Sequence, residues 1–260
     1  MISESTQRPA ALTIAGTDPT GGAGLELDLR VFTLHGVHGM AVPTALNVQT
    51  TRGVHRTFPS FPNVVGQQLA LLLEDLRPDA IKLGMLATDD VLLRIAGILA
   101  RHAIPRVVDP ILQASDGTFL LERRAWSNLC DRVIAGAALV TPNLPEAEAL
   151  TGSEDPEEAA RVLLEIGAEA ALIKGGHADG SPDDFLLTRE GGSWIRGERL
   201  DVGPVHGTGC ALSSAIAARL ARGEKLEAAV RGAKQFVARA IERSYQPGSG
   251  SRLLGLFPAT

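Results

Sequence analysis

The sharpest chemical signal is His206-Gly207-Thr208-Gly209-Cys210, preceded by Pro204-Val205 and running straight into an alanine-rich apolar stretch. A Gly-Thr-Gly turn that opens a helix leaves several amide N–H groups unbonded at the positive end of the helix dipole, and that is an anion site. Cys210 would stand in the first turn, where the same field favours its thiolate and lets it act as base or charge partner. The alternative is a buried cysteine packed beneath a glycine turn. Cys130, mid-helix, reads as structural.

A second glycine-rich stretch is Gly16-Thr17-Asp18-Pro19-Thr20-Gly21-Gly22-Ala23-Gly24. Its spacing fits neither the dinucleotide fingerprint nor the Walker A loop. Glycines here let backbone approach a ligand closely, or simply make a flexible strand-to-helix turn. Asp28 lies in the helix that follows, and alone it reads as an exposed helix acid. Gln49, before Thr50 and Thr51, offers a donor and an acceptor to a heteroaromatic ring edge, or satisfies loop backbone. Met85, after Gly84, is more often core than ligand contact.

Further along, Asp109-Pro110, Thr141-Pro142-Asn143-Leu144-Pro145-Glu146 and Lys174-Gly175-Gly176-His177 each follow an apolar run. Asn143 and Glu146, three apart at a helix start, can bear on a hydrated Mg²⁺, which prefers oxygen ligands and keeps waters. The same spacing makes a reciprocal capping box, and spacing does not separate the two. The glycine pair beside Lys174 lets a nucleotide lie against backbone; the alternative is a turn with a surface lysine. His35, His38, His55, His102, His177 and His206 lack zinc spacing and no Cys-x-x-Cys occurs, so a structural metal site is not expected.

The elements that must position these groups alternate. Strand patterns fall at 11–16, 40–48, 80–86, 106–109, 138–141 and 170–174. Helical patterns fall at 24–36, 63–76, 88–100 with Thr88 as cap, 122–133, 156–166 with Gly167 at its end, 208–222 and 226–243. Segments 185–188 and 194–200 flank Gly191-Gly192 as a hairpin. Such alternation predicts an α/β fold, a three-layer αβα sandwich with a mainly parallel central sheet. Ligands then bind beyond the carboxyl ends of the strands, where the chemical residues stand. With no repeat or linker, the chain reads as one domain over 11–260 after a flexible N-terminus, 1–10.

Composition sets the bounds. Of 260 residues, 45% are hydrophobic and 21% charged, which excludes a disordered chain. A net charge of −5 gives no footprint for nucleic acid, so any phosphate must be held by local backbone devices. Two cysteines make no disulfide scaffold and predict reduced thiols in the cytoplasm. The polar N-terminal residues lack a signal core, and no apolar run nears the ~18 residues of a membrane span.

Taken in order, Ala15 to Gly24, Gln49-Thr50-Thr51-Arg52-Gly53-Val54, Lys82-Leu83-Gly84-Met85-Leu86, Thr141 to Ala147, Lys174-Gly175-Gly176-His177 and His206 to Cys210 resemble one family. It is the hydroxymethylpyrimidine/phosphomethylpyrimidine kinase family of thiamine biosynthesis, in the ribokinase-like superfamily, and the resemblance runs from about residue 11 to 243. It implies two successive transfers from ATP, to 4-amino-5-hydroxymethyl-2-methylpyrimidine and then to its monophosphate, with Mg²⁺ and a homodimer. It implies that Gly16, Ala23, Asp28, Gln49 and Met85 line the pyrimidine pocket. Asn143 and Glu146 match a metal and phosphate element, with Asp109 as a further metal ligand. Lys174, Gly175 and Gly176 fall on the nucleotide side, and Gly207, Thr208, Gly209 and Cys210 form the catalytic anion hole.

Three departures stand out. Where the family often has Asp-Pro-Val-Met-Val-Ala-Lys-Ser-Gly, this chain has Asp109 to Gly117 with Ser115 in the lysine position and Asp116 beside it. Val205 replaces a common threonine, and Gly248-Ser249-Gly250 stands for Gly-His-Gly. The lost positive charge predicts a second transfer slower than the first. Two other readings are a vitamin B6 kinase, since relatives with this cysteine accept pyridoxal, and a non-catalytic pyrimidine-binding descendant.

Overall fold

The structure, a computed structural model, describes residues 8–114, 117–176 and 182–257. Ser115, Asp116, His177 and residues 1–7 of the expected N-terminal segment lie outside the described residues. The first half runs β1 (Ala10–Gly16), α1 (Gly24–Leu34), β2 (His38–Thr50), β3 (Gly53–Pro59), α2 (Pro62–Asp75), β4 (Ala80–Leu83), α3 (Asp89–Leu99) and β5 (Arg106–Val108). A helical segment containing α4 (Trp126–Leu129) leads to β6 (Leu139–Val140), α5 (Leu144–Thr151), α6 (Pro156–Ile166) and β7 (Ala170–Ile173). Then come β8 (Asp184–Thr188), β9 (Gly191–Ile195), β10 (Val205–His206), α7 (Thr208–Ala221), α8 (Leu226–Glu242) and β11 (Arg252–Leu253).

Nine strands form one sheet in the order β3-β2-β1-β4-β5-β6-β7-β8-β9. Neighbours from β2 to β7 pair in parallel, and β3, β8 and β9 pair antiparallel to theirs. The order reverses between β1 and β4, and that switch point opens a crevice at the strands' carboxyl ends. Alternation along each strand feeds two cores. Leu12, Ile81, Val108 and Val140 pack with Leu69, Ile95 and Leu163 of α2, α3 and α6. Their chain neighbours Ala11, Ala80, Val107 and Leu139 pack with Val31, Ile216 and Val230 of α1, α7 and α8. Small residues let α7 press onto the sheet, so most of it is buried.

Some expectations need correction. The segment 53–59, unassigned from sequence, is an edge strand whose residues are exposed or half-buried throughout, so no hydrophobic alternation marks it. Ala10 already belongs to β1 rather than to a flexible tail. Gly191 and Gly192 lie inside β9 rather than at the hairpin turn. The helix expected over 122–133 divides into a 3₁₀ turn, α4 and a π turn. β4 stops at Leu83, which leaves Gly84 and Met85 free to shape the switch point. Thr88 caps α3 by accepting from Val91 N–H at 3.4 Å, and Gly167 ends α6 in the left-handed conformation, both as expected.

Candidate active site

Two glycine loops meet back to back at the carboxyl ends of the strands. Gly207 caps α7 with φ 82°, and a Cβ there would collide with the Gly22 carbonyl. A Cβ on Gly24, φ 60°, would collide with the Gly16 carbonyl. Only glycine permits both the left-handed backbone and the approach. The first intrahelical bond of α7 runs from Ala211 N–H to Gly207 O at 2.9 Å, so the amides of Thr208, Gly209 and Cys210 precede the ladder. These amides make no bond within the helix ladder and stand at the positive end of its dipole.

Cys210 departs from its expectation. It is 9% exposed, and burial pushes its thiol up to about 11. Lys82 and the Gly24 N–H pull the other way, while Asp109 and Asp28 oppose them. Burial is the largest of these effects, and the net shift favours the thiol form.

Beneath the turn lies a polar cluster between sheet and helices. Asp28 on α1 accepts from Thr13 Oγ1 at 2.5 Å, Ser214 Oγ at 2.5 Å and Lys82 Nζ at 2.8 Å. Asp28 is fully buried, so it is neither an exposed helix acid nor an open wall of the pocket; it acts through Lys82 and Ser214. Burial alone would lower the Lys82 pKa, but Asp28, with Cys210 and Asp109, outweighs it and holds the ammonium above its ordinary value. The signal of Lys82 was a charge inside an otherwise apolar strand.

Asp109, just past β5, accepts from Lys174 Nζ at 2.8 Å, Ser213 Oγ at 3.1 Å and Thr141 Oγ1 at 3.3 Å. Burial opposes its ionisation, yet Lys174 and Lys82 hold its carboxyl below the usual range. A Cβ on Gly209 would lie 3.1 Å from Lys174 Nζ, which places that ammonium against the α7 turn. Asn143 and Glu146 form the full capping box: Asn143 Oδ1 accepts Glu146 N–H at 2.8 Å, and Glu146 Oε2 accepts Asn143 N–H at 2.9 Å. Glu146 is buried, and burial with nearby Asp109 raises its pKa to about 7 despite Lys174. Gly175 donates its N–H to Asp184 Oδ1 at 2.9 Å, and Gly176 takes φ 88°.

The switch point gathers the remaining group. A Cβ on Gly16 would lie 2.9 Å from Met85 Sδ and 3.2 Å from Asn47 Nδ2. Met85 is buried between them. Ala23 is the extended N-cap residue of α1. Gln49 Nε2 lies 3.1 Å from His206 Nε2, which also meets Asp18 Oδ2 at 3.0 Å. Asp18 is buried, which opposes its charge, but His206 and Thr20 hold its pKa low. His206, the residue before Gly207, therefore ties Gln49 and Asp18 to the α7 turn, a link that histidine spacing alone does not reveal. The parallel pair β10–β11 brings Leu253 to His206, and Ser251 N–H bonds Thr51 O at 2.7 Å. The C-terminal glycines of 248–250 thus dock on the β2–β3 turn.

A doubly covered parallel sheet with a glycine-opened helix facing its switch point places this protein among the ribokinase-like folds. Two solved structures share it: a phosphomethylpyrimidine kinase from Clostridium difficile 630 (TM-score 0.81, 34% identity, covering 90% of this chain and all of that one) and a Staphylococcus aureus pyridoxal kinase in complex with AMP-PCP (TM-score 0.88, 30% identity, covering 96% and 93%). A family model described as phosphomethylpyrimidine kinase matches residues 18–254, and the chain belongs to that family. A curated relative from Staphylococcus aureus (strain MRSA252), a hydroxymethylpyrimidine/phosphomethylpyrimidine kinase, is 42% identical over 249 residues, covering 92% of this chain and 90% of its own.

Proposed function

We propose that this protein transfers the γ-phosphoryl group of ATP to the hydroxymethyl oxygen of 4-amino-5-hydroxymethyl-2-methylpyrimidine, and then a second to the resulting monophosphate. The observation that carries the reading is the α7 anion turn facing the switch point, with Lys174 and Asp109 against it, in a chain of this family. In each step the bond from the γ-phosphorus to the bridging oxygen breaks, a new phosphorus–oxygen bond forms and ADP leaves; the first step also releases the hydroxyl proton, whereas in the second an already ionised phosphate oxygen attacks and no proton is released. Such transfer needs positioning and charge stabilisation more than covalent chemistry. The amides of Thr208, Gly209 and Cys210 hold the transferring group, with Gly207 setting their direction. Gln49, backed by His206 and Asp18, meets the aminopyrimidine edge, and Gly16, Ala23 and Met85 shape the floor. Lys174, Gly175 and Gly176 face the nucleotide. Cys210 stands at the transferring group, where burial favours its thiol form and suits it to orienting the acceptor.

Glu146 and Asp109, with Asn143 beside them, suit a Mg²⁺ held mainly by phosphates and water. The donors are carboxylate oxygens, and among the described residues no group of three or more His, Cys, Asp or Glu could hold a metal alone. The ion would supply charge neutralisation at the phosphates. A buried acid with a raised pKa is stabilised in its ionised form by such a cation.

We read residues 10–260 as one kinase domain acting in the cytoplasm. Both cysteines are free, and among the described residues no helix is long and apolar enough to cross a membrane. We also propose a homodimer. Leu46 and its cross-strand partner Phe58, with Val48, leave an exposed apolar stripe on the edge hairpin that suits a second copy.

ADP release with the hydroxymethylpyrimidine, its monophosphate and pyridoxal as acceptors tests the assignment. Turnover of both pyrimidines supports it. The likeness to a pyridoxal kinase favours one second reading, and turnover of pyridoxal alone would establish that instead.

A further inference from the structure

Asp184 opens β8 with both carboxylate oxygens engaged. One accepts the Gly175 N–H at 2.9 Å, and the other accepts the ammonium of Lys234, on α8, at 2.6 Å. Lys234 also donates to the Pro182 carbonyl at 2.7 Å. The pair is largely out of water, with side-chain exposures of 16% for Lys234 and 8% for Asp184. Backbone closes around it. A Cβ on Gly175 would run into the Asp183 carbonyl, and one on Gly197 would lie 2.9 Å from both Lys234 Cε and the Pro182 carbonyl. Asp183 Oδ1 in turn accepts the Gly197 N–H at 2.8 Å.

These bonds converge on Gly175, the residue after Lys174. Lys174 Nζ is itself bonded to Asp109 at 2.8 Å, and Asp109 accepts from Ser213 of α7 at 3.1 Å. A line of bonded groups therefore joins α8 to α7 through Lys234, Asp184, the Gly175 amide, Lys174, Asp109 and Ser213. Charge-assisted bonds shielded from water are the strong ones, so this line holds the 174–176 backbone in one place. Among the described residues, the acceptor-side groups Gly16, Met85, Gln49 and His206 make no hydrogen bond to this line.

We propose that Asp184 and Lys234 are positioning residues for the nucleotide: their ion pair fixes the Gly175 amide, and with it Lys174 and Gly176, where ATP is received. The proposal rests on reading 174–176 as the nucleotide side, and it adds two residues that touch neither substrate. Loosening the pair should then weaken one substrate and spare the other.

The test uses the full chain with Lys234→Met, Asp184→Asn and the conservative Lys234→Arg. Steady-state kinetics vary ATP and the pyrimidine in turn, and amide NMR follows ADP binding to the parent. Loss of one charge-assisted contact at this site should raise KM for ATP about tenfold in Lys234→Met, while KM for the pyrimidine and kcat stay within about twofold. Lys234→Arg should recover most of the ATP affinity. Equal rises in both KM values, or a lower melting temperature with unchanged kinetics, would overturn the proposal and leave the pair a brace of the fold. If Lys234→Met does not fold, Asp184→Asn carries the same comparison, because it keeps an acceptor for Gly175 and removes only the charge. Gly175 and Gly176 amide signals of the parent that ignore ADP sink the underlying site reading. Signals that respond, together with parent-like ADP affinity in Lys234→Met, sink the positioning role alone.

Discussion

Lys82 and Asp28 form an ion pair at 2.8 Å in which neither side chain exposes any surface. Taking one partner away leaves the other charge in the interior, which costs about 3–5 kcal/mol, whereas removing both charges costs far less. Lys82→Met should therefore lower stability severely, and Lys82→Met/Asp28→Asn should recover a large part of it. Urea unfolding of the single and double variants reads the coupling. Additive losses would mean that Thr13 and Ser214 alone satisfy Asp28.

Glu146 carries a pH signature. Its folded pKa, about 7, lies above the ordinary 4.5, so the folded state binds the proton more tightly than the unfolded chain does. The stability from that proton is complete below about pH 4.5 and is lost as pH rises through about 7. If the ionised form receives Mg²⁺, the Mg²⁺ needed for half-maximal rate should fall as pH rises from about 6 to about 8. Glu146→Gln should need more Mg²⁺ and lose the trend. A variant that only melts earlier, with the trend intact, would assign Glu146 to capping alone.

Cys210 makes an opposite forecast. Burial pushes its thiol up to about 11, so a mechanism that needed the thiolate would gain nearly tenfold in kcat per pH unit between about 7 and 9. We expect a flat profile over that range once Glu146 is ionised. Cys210→Ser should retain much of the rate, and Cys130→Ala nearly all of it. A slope of one in the parent that vanishes in Cys210→Ser would restore the thiolate base.

Gln49 separates the two substrates. Losing a buried partner for the aminopyrimidine edge costs about 1–3 kcal/mol, so Gln49→Ala should weaken pyrimidine binding and leave ADP binding unchanged. Calorimetry with each ligand decides, and an unchanged pyrimidine affinity removes Gln49 from the pocket.

What the sequence made legible follows from what is local. Short apolar runs ended by glycine or proline located β1, β4, β5, β6 and β7, because each is buried on both faces. The anion turn was readable because Gly207, Thr208 and Gly209 are adjacent. Edge strand β3 was not, since it buries no face and so writes no period. Asp28, Lys82, Asp184 and Lys234 were misread or overlooked for another reason. Their meaning lies in partners 54 and 50 residues away, and no spacing rule reaches that far. The raised pKa of Cys210 was not legible because the burial that causes most of it, and the carboxylates that add to it, come from packing between distant elements.

The pairing of β11 with β10 closes a loop in the chain. Val205–His206 lies before α7 and Arg252–Leu253 after α8, so the bridge clasps both helices at the side where His206 stands. A cut within 244–251 would therefore loosen His206 while the nine-stranded sheet keeps every pairing.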